Sequence, residues 1–267
     1  MLDKITPVVL TFNEAPNIAR LLECVRWARE VVVVDSLSTD RTEALASTFA
    51  NVRVVRHAFE SHAGQWNFAV HETGISTEWV LALDADYLLT EDFVEELRRL
   101  SPPDDVPGYR ASFIYCVFGK RLRGSLYPPV SVLFRKSQGH YAQDGHTQRV
   151  QLPGKAATLA NPILHDDRKP LSHWLAAQVR YMSLEVEKLS SANWRELRWP
   201  DRVRRLHFVA PILVPLYCLV WRGLILDGYH GLYYALQRSV AETILSILML
   251  ERRLRPNPRK EDADPRT

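Results

Sequence analysis

Residues 78–89, EWVLALDADYLL, indicate both the fold of the chain and the place of its candidate site. The first part, residues 79–83, is apolar without alternation, which is typical of a strand buried on both faces of a parallel sheet. This run ends in Asp84-Ala85-Asp86. Because ligands bind at the carboxyl ends of the strands in an open α/β sheet, the two carboxylates are candidate ligands of a hard cation such as Mg2+ or Mn2+.

Without this context, the Asp-x-Asp pattern does not indicate a cation site. The chain contains fifteen Asp residues, and chance alone would give about one such tripeptide. The same three letters recur at Asp262-Ala263-Asp264, in a charged, Pro-containing end of the chain. The buried strand before the first copy is therefore what singles out Asp84 and Asp86.

The composition is that of an ordinary globular protein. The 267 residues are 46% hydrophobic and 24% charged, which suits one large domain or a domain with an appendage. A net charge of +3 is only mildly basic and does not favour nucleic acid as a partner. The three cysteines are far apart and lack Cys-x-x-Cys spacing, which predicts buried thiols and not a disulfide framework or a zinc site.

The first hundred residues repeat a strand, a loop and a helix. Apolar runs predict four strands, each followed by apolar residues at helical spacing, at residues 6–12, 31–34, 52–55 and 79–83. Asn13 is predicted to cap the first helix, with Pro16 in its first turn. Strands that alternate with short helices predict an α/β fold with a mostly parallel, Rossmann-like sheet flanked by helices.

The pattern changes after residue 101. Residues 109–118, 130–134 and 149–152 are predicted strands, and residues 171–189 are a predicted helix. Residues 206–221 are apolar except for His207, and the prolines within this run predict an irregular element. Since a membrane-spanning helix needs about 20 apolar residues, this run is too short to cross a bilayer.

Acidic residues follow three of the predicted strands, namely Glu14 after the first, Asp35 after the second, and Asp84 with Asp86 after the fourth. Each of them alone is also explained by helix capping or by a solvated position. Together they predict a cation site at one edge of the sheet that also binds the phosphates of a nucleotide. The chain has neither Gly-x-Gly-x-x-Gly nor Gly-Lys followed by Ser or Thr, so a metal is the expected means of holding a diphosphate.

The order and spacing of four motifs resemble the family 2 glycosyltransferases, which have the GT-A fold. The motifs are Thr11-Phe12-Asn13-Glu14, residues 31–42, Gln65-Trp66-Asn67-Phe68-Ala69 and Asp84-Ala85-Asp86. The likeness is strongest to the bacterial branch that adds sugars to lipopolysaccharide cores and related cell-surface glycans. It continues through Tyr127-Pro128, Gly145-His146 and His165, and it covers about residues 5–250.

The resemblance implies a domain organisation. Residues 1–170 would form the GT-A catalytic domain, with a nucleotide-sugar-binding half at 1–100 and an acceptor half at 101–170. Residues 171–250 would form a helical, membrane-associating extension, with the apolar segment 206–226 as its contact, and residues 251–267 a disordered tail. Arginines on both sides of the apolar segment favour an anionic membrane surface over a role as a core helix.

The resemblance also assigns roles to individual residues. Thr11, Phe12, Glu14 and Asp35 would line the base and ribose of the donor, and Asn67 would help to close the donor pocket. Asp84 and Asp86 would bind the donor diphosphate through Mg2+ or Mn2+. His165 is a candidate further ligand of the metal.

The implied reaction is an inverting transfer of a hexose from a nucleotide-diphosphate sugar, most simply a UDP-sugar, to a lipopolysaccharide-core, lipid-linked or other cell-surface glycan acceptor. Many relatives have His-Glu where this chain has His146-Thr147, so the general base of the family is missing at that position. Asp144 is the first substitute, Asp166 or Asp167 the second, and His146 itself stays open. Leu37 also stands where relatives often have Gly, which leaves open the shape of the turn after Asp35.

Two other functions fit parts of the pattern. A sugar nucleotidyltransferase would use the same acids on a similar sheet, and a non-catalytic, membrane-associated nucleotide-sugar-binding protein would keep the fold without the base. The apolar run at residues 7–12 is too short for a signal peptide. We therefore expect a peripheral protein on the cytoplasmic face of the cytoplasmic membrane.

Overall fold

The chain folds into two units, Met1–Pro170 and Leu171–Thr267. The structure, a computed structural model, describes residues 1–144, 147–195, 197 and 199–255, and of residues 143, 144 and 147 it describes the backbone alone.

The first unit is built on a mixed sheet with helices on both faces. Its seven strands are β1 (Ile5–Thr11), β2 (Val31–Asp35), β3 (Val52–Arg56), β4 (Trp79–Asp84), β6 (Gly108–Ala111), β9 (Val130–Arg135) and β12 (Ala157–Thr158). Their order is β12-β6-β9-β4-β1-β2-β3. The strands β4, β1, β2 and β3 are parallel to one another, and β9 is antiparallel to β4 and β6. The predicted α/β, Rossmann-like architecture is confirmed.

Four helices and two smaller sheets complete this unit. The helices are α1 (Ile18–Cys24), α2 (Thr42–Ala46), α3 (His62–His71) and α4 (Glu91–Arg99). A four-stranded sheet contains β5 (Tyr87–Leu88), β7 (Phe113–Val117), β8 (Lys120–Arg121) and β13 (Ile163–His165), and a hairpin contains β10 (His140–Asp144) and β11 (Thr147–Gln151).

The central strands are apolar on both faces because both faces are covered. Val31 and Val33 of β2 contribute to one core cluster, which contains residues of α1 and α4. Val32 and Val34 contribute to a second cluster with Trp66 of α3. Alternate side chains of one strand therefore enter different cores, which explains why these strands show no polar alternation in the sequence.

Two local predictions are wrong. The helix α1 begins at Ile18 with Asn17 before it, so Asn13 does not cap it. Instead Asn13 adopts a left-handed conformation, with φ of 54°, and its side chain accepts a hydrogen bond from the backbone N–H of Thr39 at 2.8 Å. The predicted strand at residues 109–118 is two strands, because the chain leaves the large sheet after β6 and enters the four-stranded sheet as β7.

The second unit is helical. Its helices are α5 (Leu171–Ser191), α6 (Trp199–Arg204), α7 (Ala210–Leu216) and α8 (Tyr229–Leu254). The apolar run after α6 is broken into α7, a π-helical turn (Tyr217–Trp221) and a 3-10 turn (Leu224–Asp227), with Pro215 inside α7. A core of Met182, Val186 and Leu189 from α5 with Leu245 and Met249 from α8 stabilises the unit.

No helix within the described residues has both the length and the apolar character needed to cross a membrane. The three cysteines are free thiols, with Cys116 and Cys218 buried and Cys24 partly exposed.

Candidate functional site

The carboxyl ends of three neighbouring strands bring the predicted acids to one edge of the large sheet. Strand β1 lies between β4 and β2, with Leu10 opposite Asp84 and Thr11 opposite Asp35. Glu14 lies in the loop directly after β1. The sequence pattern of strands followed by acids therefore corresponds to neighbouring positions in the structure.

The centre of this edge is a pair formed by Asp86 and His165. The Nε2 atom of His165 lies 2.9 Å from Oδ2 of Asp86. The other polar atoms of the two side chains, Oδ1 of Asp86 and Nδ1 of His165, are buried and have no hydrogen-bond partner among the described residues. Buried atoms of this kind suit ligands of a divalent cation.

A complete set of protein ligands is not preformed around this pair. Within the residues that the structure describes, no group of three or more His, Cys, Asp or Glu side chains is arranged to hold a metal ion. Mg2+ and Mn2+ are commonly held by few carboxylates together with water and substrate phosphate oxygens. Asp86 and His165, with Asp84 nearby, are therefore a partial donor set that water and phosphate oxygens would complete.

Burial and mutual charge shift the pKa values of these groups. Burial, together with the neighbouring charge of Asp86, raises the pKa of Asp84 to about 6. Burial acts in the same direction on Asp86, but the charge of His165 and its hydrogen bond outweigh burial and lower the pKa of Asp86. Burial acts to lower the pKa of His165, yet the charge and hydrogen bond of Asp86 raise it. The pair therefore favours the ionised carboxylate.

Tyrosine rings surround His165 on several sides. The ring centroids of Tyr115 and Tyr127 each lie 4.7 Å from that of His165, and that of Tyr87 lies 5.6 Å away, all in T-shaped arrangements. The hydroxyl groups of Tyr87 and Tyr127 are hydrogen-bonded at 2.6 Å. These contacts fix the orientation of the imidazole. Tyr127 belongs to one of the family motifs. Nothing in the sequence indicated a role for Tyr87 or Tyr115 beyond the position of Tyr87 next to Asp86 and that of Tyr115 in a predicted strand.

A second ion pair lies beside the first. The Nζ atom of Lys169 is 2.5 Å from Oε1 of Glu14, and the Asn17 side chain donates to Oε2 of Glu14 at 2.9 Å. Burial raises the pKa of Glu14 to about 7, although the charge of Lys169 opposes this shift. Sequence reasoning missed Lys169, since it belongs to no motif. The carboxylate of Glu14 is therefore paired with the ammonium group of Lys169 and is largely shielded from solvent.

The loop after β2 closes over the end of β1. The carboxylate of Asp35 is 1% exposed and accepts hydrogen bonds from the hydroxyl of Thr11 at 2.8 Å and from the hydroxyl and backbone N–H of Ser38 at 2.6 and 2.7 Å. Phe12 and Leu37 are exposed beside it. Leu37 adopts φ of 61°, the left-handed conformation that favours glycine. The turn after Asp35 therefore keeps the shape that a glycine would adopt, with Leu in its place.

Asn67 ties α3 to the hairpin β10–β11. Its side-chain amide donates to the carbonyl of Tyr141 at 2.9 Å and accepts from the N–H of Tyr141 at 2.8 Å. The ring of Trp66 stacks on that of Tyr141 with centroids 5.2 Å apart. In this structure Asn67 is therefore bonded to the backbone of the hairpin, where the resemblance implied a role in closing the donor pocket.

The candidate bases are placed in different ways. His146 lies outside the described residues, as does the side chain of Asp144, which ends β10. Asp166 is buried and held by Arg20 at 2.5 Å, by Arg168 at 2.8 Å and by the N–H of Gly119 at 3.1 Å. Such an acid is well suited to joining segments and poorly placed to take a proton from a substrate.

Asp167 accepts hydrogen bonds from the side chain of Asn17 at 2.8 Å and from the N–H of Lys169 at 2.9 Å. It links the α1 end of the site to the segment that carries Lys169.

Gly119 is required where it stands, because its φ is 85° and an added Cβ would lie 2.6 Å from the guanidinium of Arg168.

Comparison with known proteins gives a family and related sequences. Residues 7–139 match the family model described as Glycosyl transferase family 2. The chain is 25% identical over 272 residues to the lipopolysaccharide core biosynthesis glycosyltransferase LpsC of Rhizobium meliloti (strain 1021), which covers 96% of this chain and 95% of LpsC. It is 35% identical over 109 residues to an uncharacterized glycosyltransferase of Rickettsia bellii (strain RML369-C), and there the match spans 40% of this chain and only 36% of the relative.

The fold also has solved relatives. The mannosyltransferase PcManGT from Pyrobaculum calidifontis, solved in complex with GDP-Man and Mn2+, superposes with a TM-score of 0.51 at 17% sequence identity. The superposition covers 91% of this chain and 87% of that chain. The predicted GT-A fold is confirmed.

Proposed function

The chain belongs to glycosyl transferase family 2, and we propose that it is a metal-dependent, inverting hexosyltransferase. The donor is a nucleoside diphosphate sugar, with a UDP-sugar as the first choice. The acceptor is a lipopolysaccharide-core, lipid-linked or other cell-surface glycan. The likeness to LpsC over nearly the whole chain supports this acceptor class, and the observation that carries the proposal is the buried pair of Asp86 and His165 at the end of β4.

The residues around this pair suggest a division of roles. Asp84, Asp86 and His165 would hold Mg2+ or Mn2+, which would neutralise the charge that develops on the leaving diphosphate. The solved relative with GDP-Man and Mn2+ supports a metal of this kind. Lys169, held at the same edge by Glu14, adds a fixed positive charge near Asp86.

The transfer step needs one proton acceptor. The acceptor hydroxyl oxygen forms a bond to the anomeric carbon while the bond from that carbon to the diphosphate oxygen breaks, and the nucleoside diphosphate leaves with the electron pair. A base takes the proton of the hydroxyl. We assign Asp144 to this role, because Asp166 is held by two guanidinium groups and Asp144 ends a strand of the hairpin that Asn67 ties to α3.

The proposal is tested with the purified full chain and a panel of nucleotide sugars in the presence of Mn2+. Release of the nucleoside diphosphate, dependent on a glycan acceptor, is the expected result, and release of pyrophosphate would instead indicate a nucleotidyltransferase. Asp86→Asn should abolish the release. Asp104→Asn, which changes an exposed carboxylate before β6, is the matched control and should leave it unchanged. Full activity of Asp86→Asn would overturn the proposal.

A further inference from the structure

A pocket in the second unit combines positive charge with apolar walls. It encloses about 710 Å3 between the end of α5, the segment after α6 and the last turn of α8. Its walls include Trp194, Arg205, His207, Phe208, Arg252 and Arg253. We refer to this cavity as the arginine pocket.

Among the described residues, no acid forms an ion pair with the arginines of the arginine pocket. The guanidinium of Arg205 donates to the carbonyls of Leu189 and Ala192 and lies over the ring of Trp194. For Arg252 and Arg253, the described part of the chain offers no carboxylate within ion-pairing distance; the nearest acid in sequence, Glu251, pairs with Arg255. Guanidinium groups that bind no carboxylate are well suited to phosphate.

His207 gives a second, independent indication of a ligand. It is only 8% exposed, and neither of its ring nitrogens has a hydrogen-bond partner among the described residues. Its backbone is in the left-handed region with φ of 57°, and its carbonyl accepts from the hydroxyl of Ser246, so its position is fixed by the chain. A buried imidazole without protein partners is unfavourable unless a polar ligand or a water molecule supplies one, and the adjoining pocket has room for either.

An exposed apolar surface adjoins the arginine pocket. Phe208, in the wall, is 76% exposed, and Trp221, in the π-helical turn, is 79% exposed. Further large apolar side chains are exposed along the same segment, at Leu206, Ile212, Leu213, Leu216, Val220, Ile225 and Leu226. So many exposed large apolar side chains within residues 206–226 are unusual for a segment in contact with water.

We propose that the arginine pocket binds the phosphate of an anionic lipid headgroup while the exposed side chains of residues 206–226 enter the adjoining leaflet. Short helices with exposed apolar residues lie in the membrane interface, and basic residues beside them attract anionic lipids. A protein partner would explain the apolar surface but not three arginines and an unpartnered histidine in one cavity. The proposal does not depend on the sugar-transfer reaction.

The test uses the full chain and vesicles of two compositions, phosphatidylcholine alone and phosphatidylcholine with phosphatidylglycerol, in a sedimentation assay. The wild type should bind the phosphatidylglycerol vesicles more tightly. The double variant Arg252→Ala and Arg253→Ala should weaken that binding about tenfold or more. The matched control is Arg98→Ala with Arg99→Ala, an exposed arginine pair in the last turn of α4 that removes the same charge.

Trp221→Ala should weaken binding to both kinds of vesicle, because it removes apolar area and no charge. Inorganic phosphate, titrated by calorimetry, distinguishes a lipid from a free anion. Equal loss of binding in the control pair, equal affinity for the two vesicle compositions, or binding of phosphate without binding of vesicles would each overturn the proposal. Unchanged melting temperatures of the variants establish that they are folded.

Discussion

The imidazole Nε2 of His165 lies 2.9 Å from the carboxylate Oδ2 of Asp86, across 79 positions of the chain. His165 is in the last strand of the first unit, and it reaches the site because β13 pairs with both β5 and β7. The site is therefore completed only when the end of this unit has folded against the loop that follows β4.

Asp86→Asn tests this relationship directly. We expect loss of Mn2+-dependent nucleotide binding by about a hundredfold or more, because a ligand and the partner of a second ligand are both altered. Calorimetry with UDP and Mn2+ measures the affinity. In the metal-free protein the pKa of His165 should fall, because Asp86 raises it in the wild type, and an NMR titration of the imidazole would show this. Unchanged metal-dependent binding would remove Asp86 from the site.

Metal binding should depend on pH through Asp84. Its pKa is raised to about 6 by burial and by Asp86, and a protonated carboxyl is a poor ligand. The affinity for Mn2+ should therefore rise with pH up to about 7 and then level off, with release of a proton below that. Isothermal titration in buffers of different ionisation enthalpy counts the proton. In Asp84→Asn the proton release from this group should be absent.

The carboxyl of Asp84 also makes the stability of the metal-free protein depend on pH. This contribution to stability falls as the pH rises, whereas the metal affinity rises. Because its pKa is about 6 in the folded state against the ordinary value of 3.8, the folded metal-free protein binds this proton more tightly than the unfolded chain does. This contribution is fully present below pH 3.8 and is lost as the pH rises to about 6. The free energy of unfolding, measured in urea without metal, should decline less across this range in Asp84→Asn than in the wild type.

Asn67→Ala separates two roles of this residue. The loss of both hydrogen bonds to Tyr141 should loosen the hairpin β10–β11 and lower kcat about tenfold to a hundredfold, with little change in the KM for the donor. Asn51→Ala is a matched control, since Asn51 likewise makes two side-chain hydrogen bonds to the backbone, donating to the carbonyls of Val25 and Ala28. A raised donor KM with an unchanged kcat would instead place Asn67 in the donor pocket.

Asp144→Asn and Asp166→Asn should fail in different ways. The first should abolish turnover and spare donor binding, because the base is lost and the nucleotide site is not touched. The second should lower the free energy of unfolding by on the order of 2 kcal/mol, since Arg20 and Arg168 lose their acid but are themselves partly exposed. Rapid-quench assays and urea titrations provide the two readouts. Full turnover in Asp144→Asn would move the base to another residue.

Leu37→Asn should stabilise the protein by about 0.5 to 1 kcal/mol, because Asn tolerates the left-handed conformation that Leu37 holds at φ of 61°. The side chain is 54% exposed, so little packing is lost. Ala lacks the short polar side chain by which Asn stabilises the left-handed conformation, so Leu37→Ala keeps the strain and should bring no comparable gain. Thermal unfolding of the three proteins compares them.

The sequence predicts the first half of the fold well because its signals are local. Four β-branched valines in a row favour a strand covered on both faces, as Val31–Asp35 is. The strand break after Ala111 and the position of Asn13 were decided by pairing with distant segments, which periodicity does not report.

The residues of the candidate site fall into the same two groups, those that local sequence predicts and those that depend on distant partners. The acids stand at strand ends and could be predicted from order alone, as could His165 from the family motif. Lys169 and Arg20 could not, because each acts through an acid far away in the chain, Glu14 and Asp166. Only the folded structure brings such partners together.

The closed loop around Asp35 and Ser38 has a consequence for selectivity. The N–H of Asn13 donates to the hydroxyl of Ser38 and its side chain accepts from Thr39, so the loops after β1 and β2 are tied together by the protein's own groups. Under the proposed function, a nucleoside that binds here would order little of the chain, and its binding would lose little entropy. The same rigidity would prevent the proposed donor site from rearranging around a donor of the wrong shape, so discrimination between bases would rest on shape complementarity.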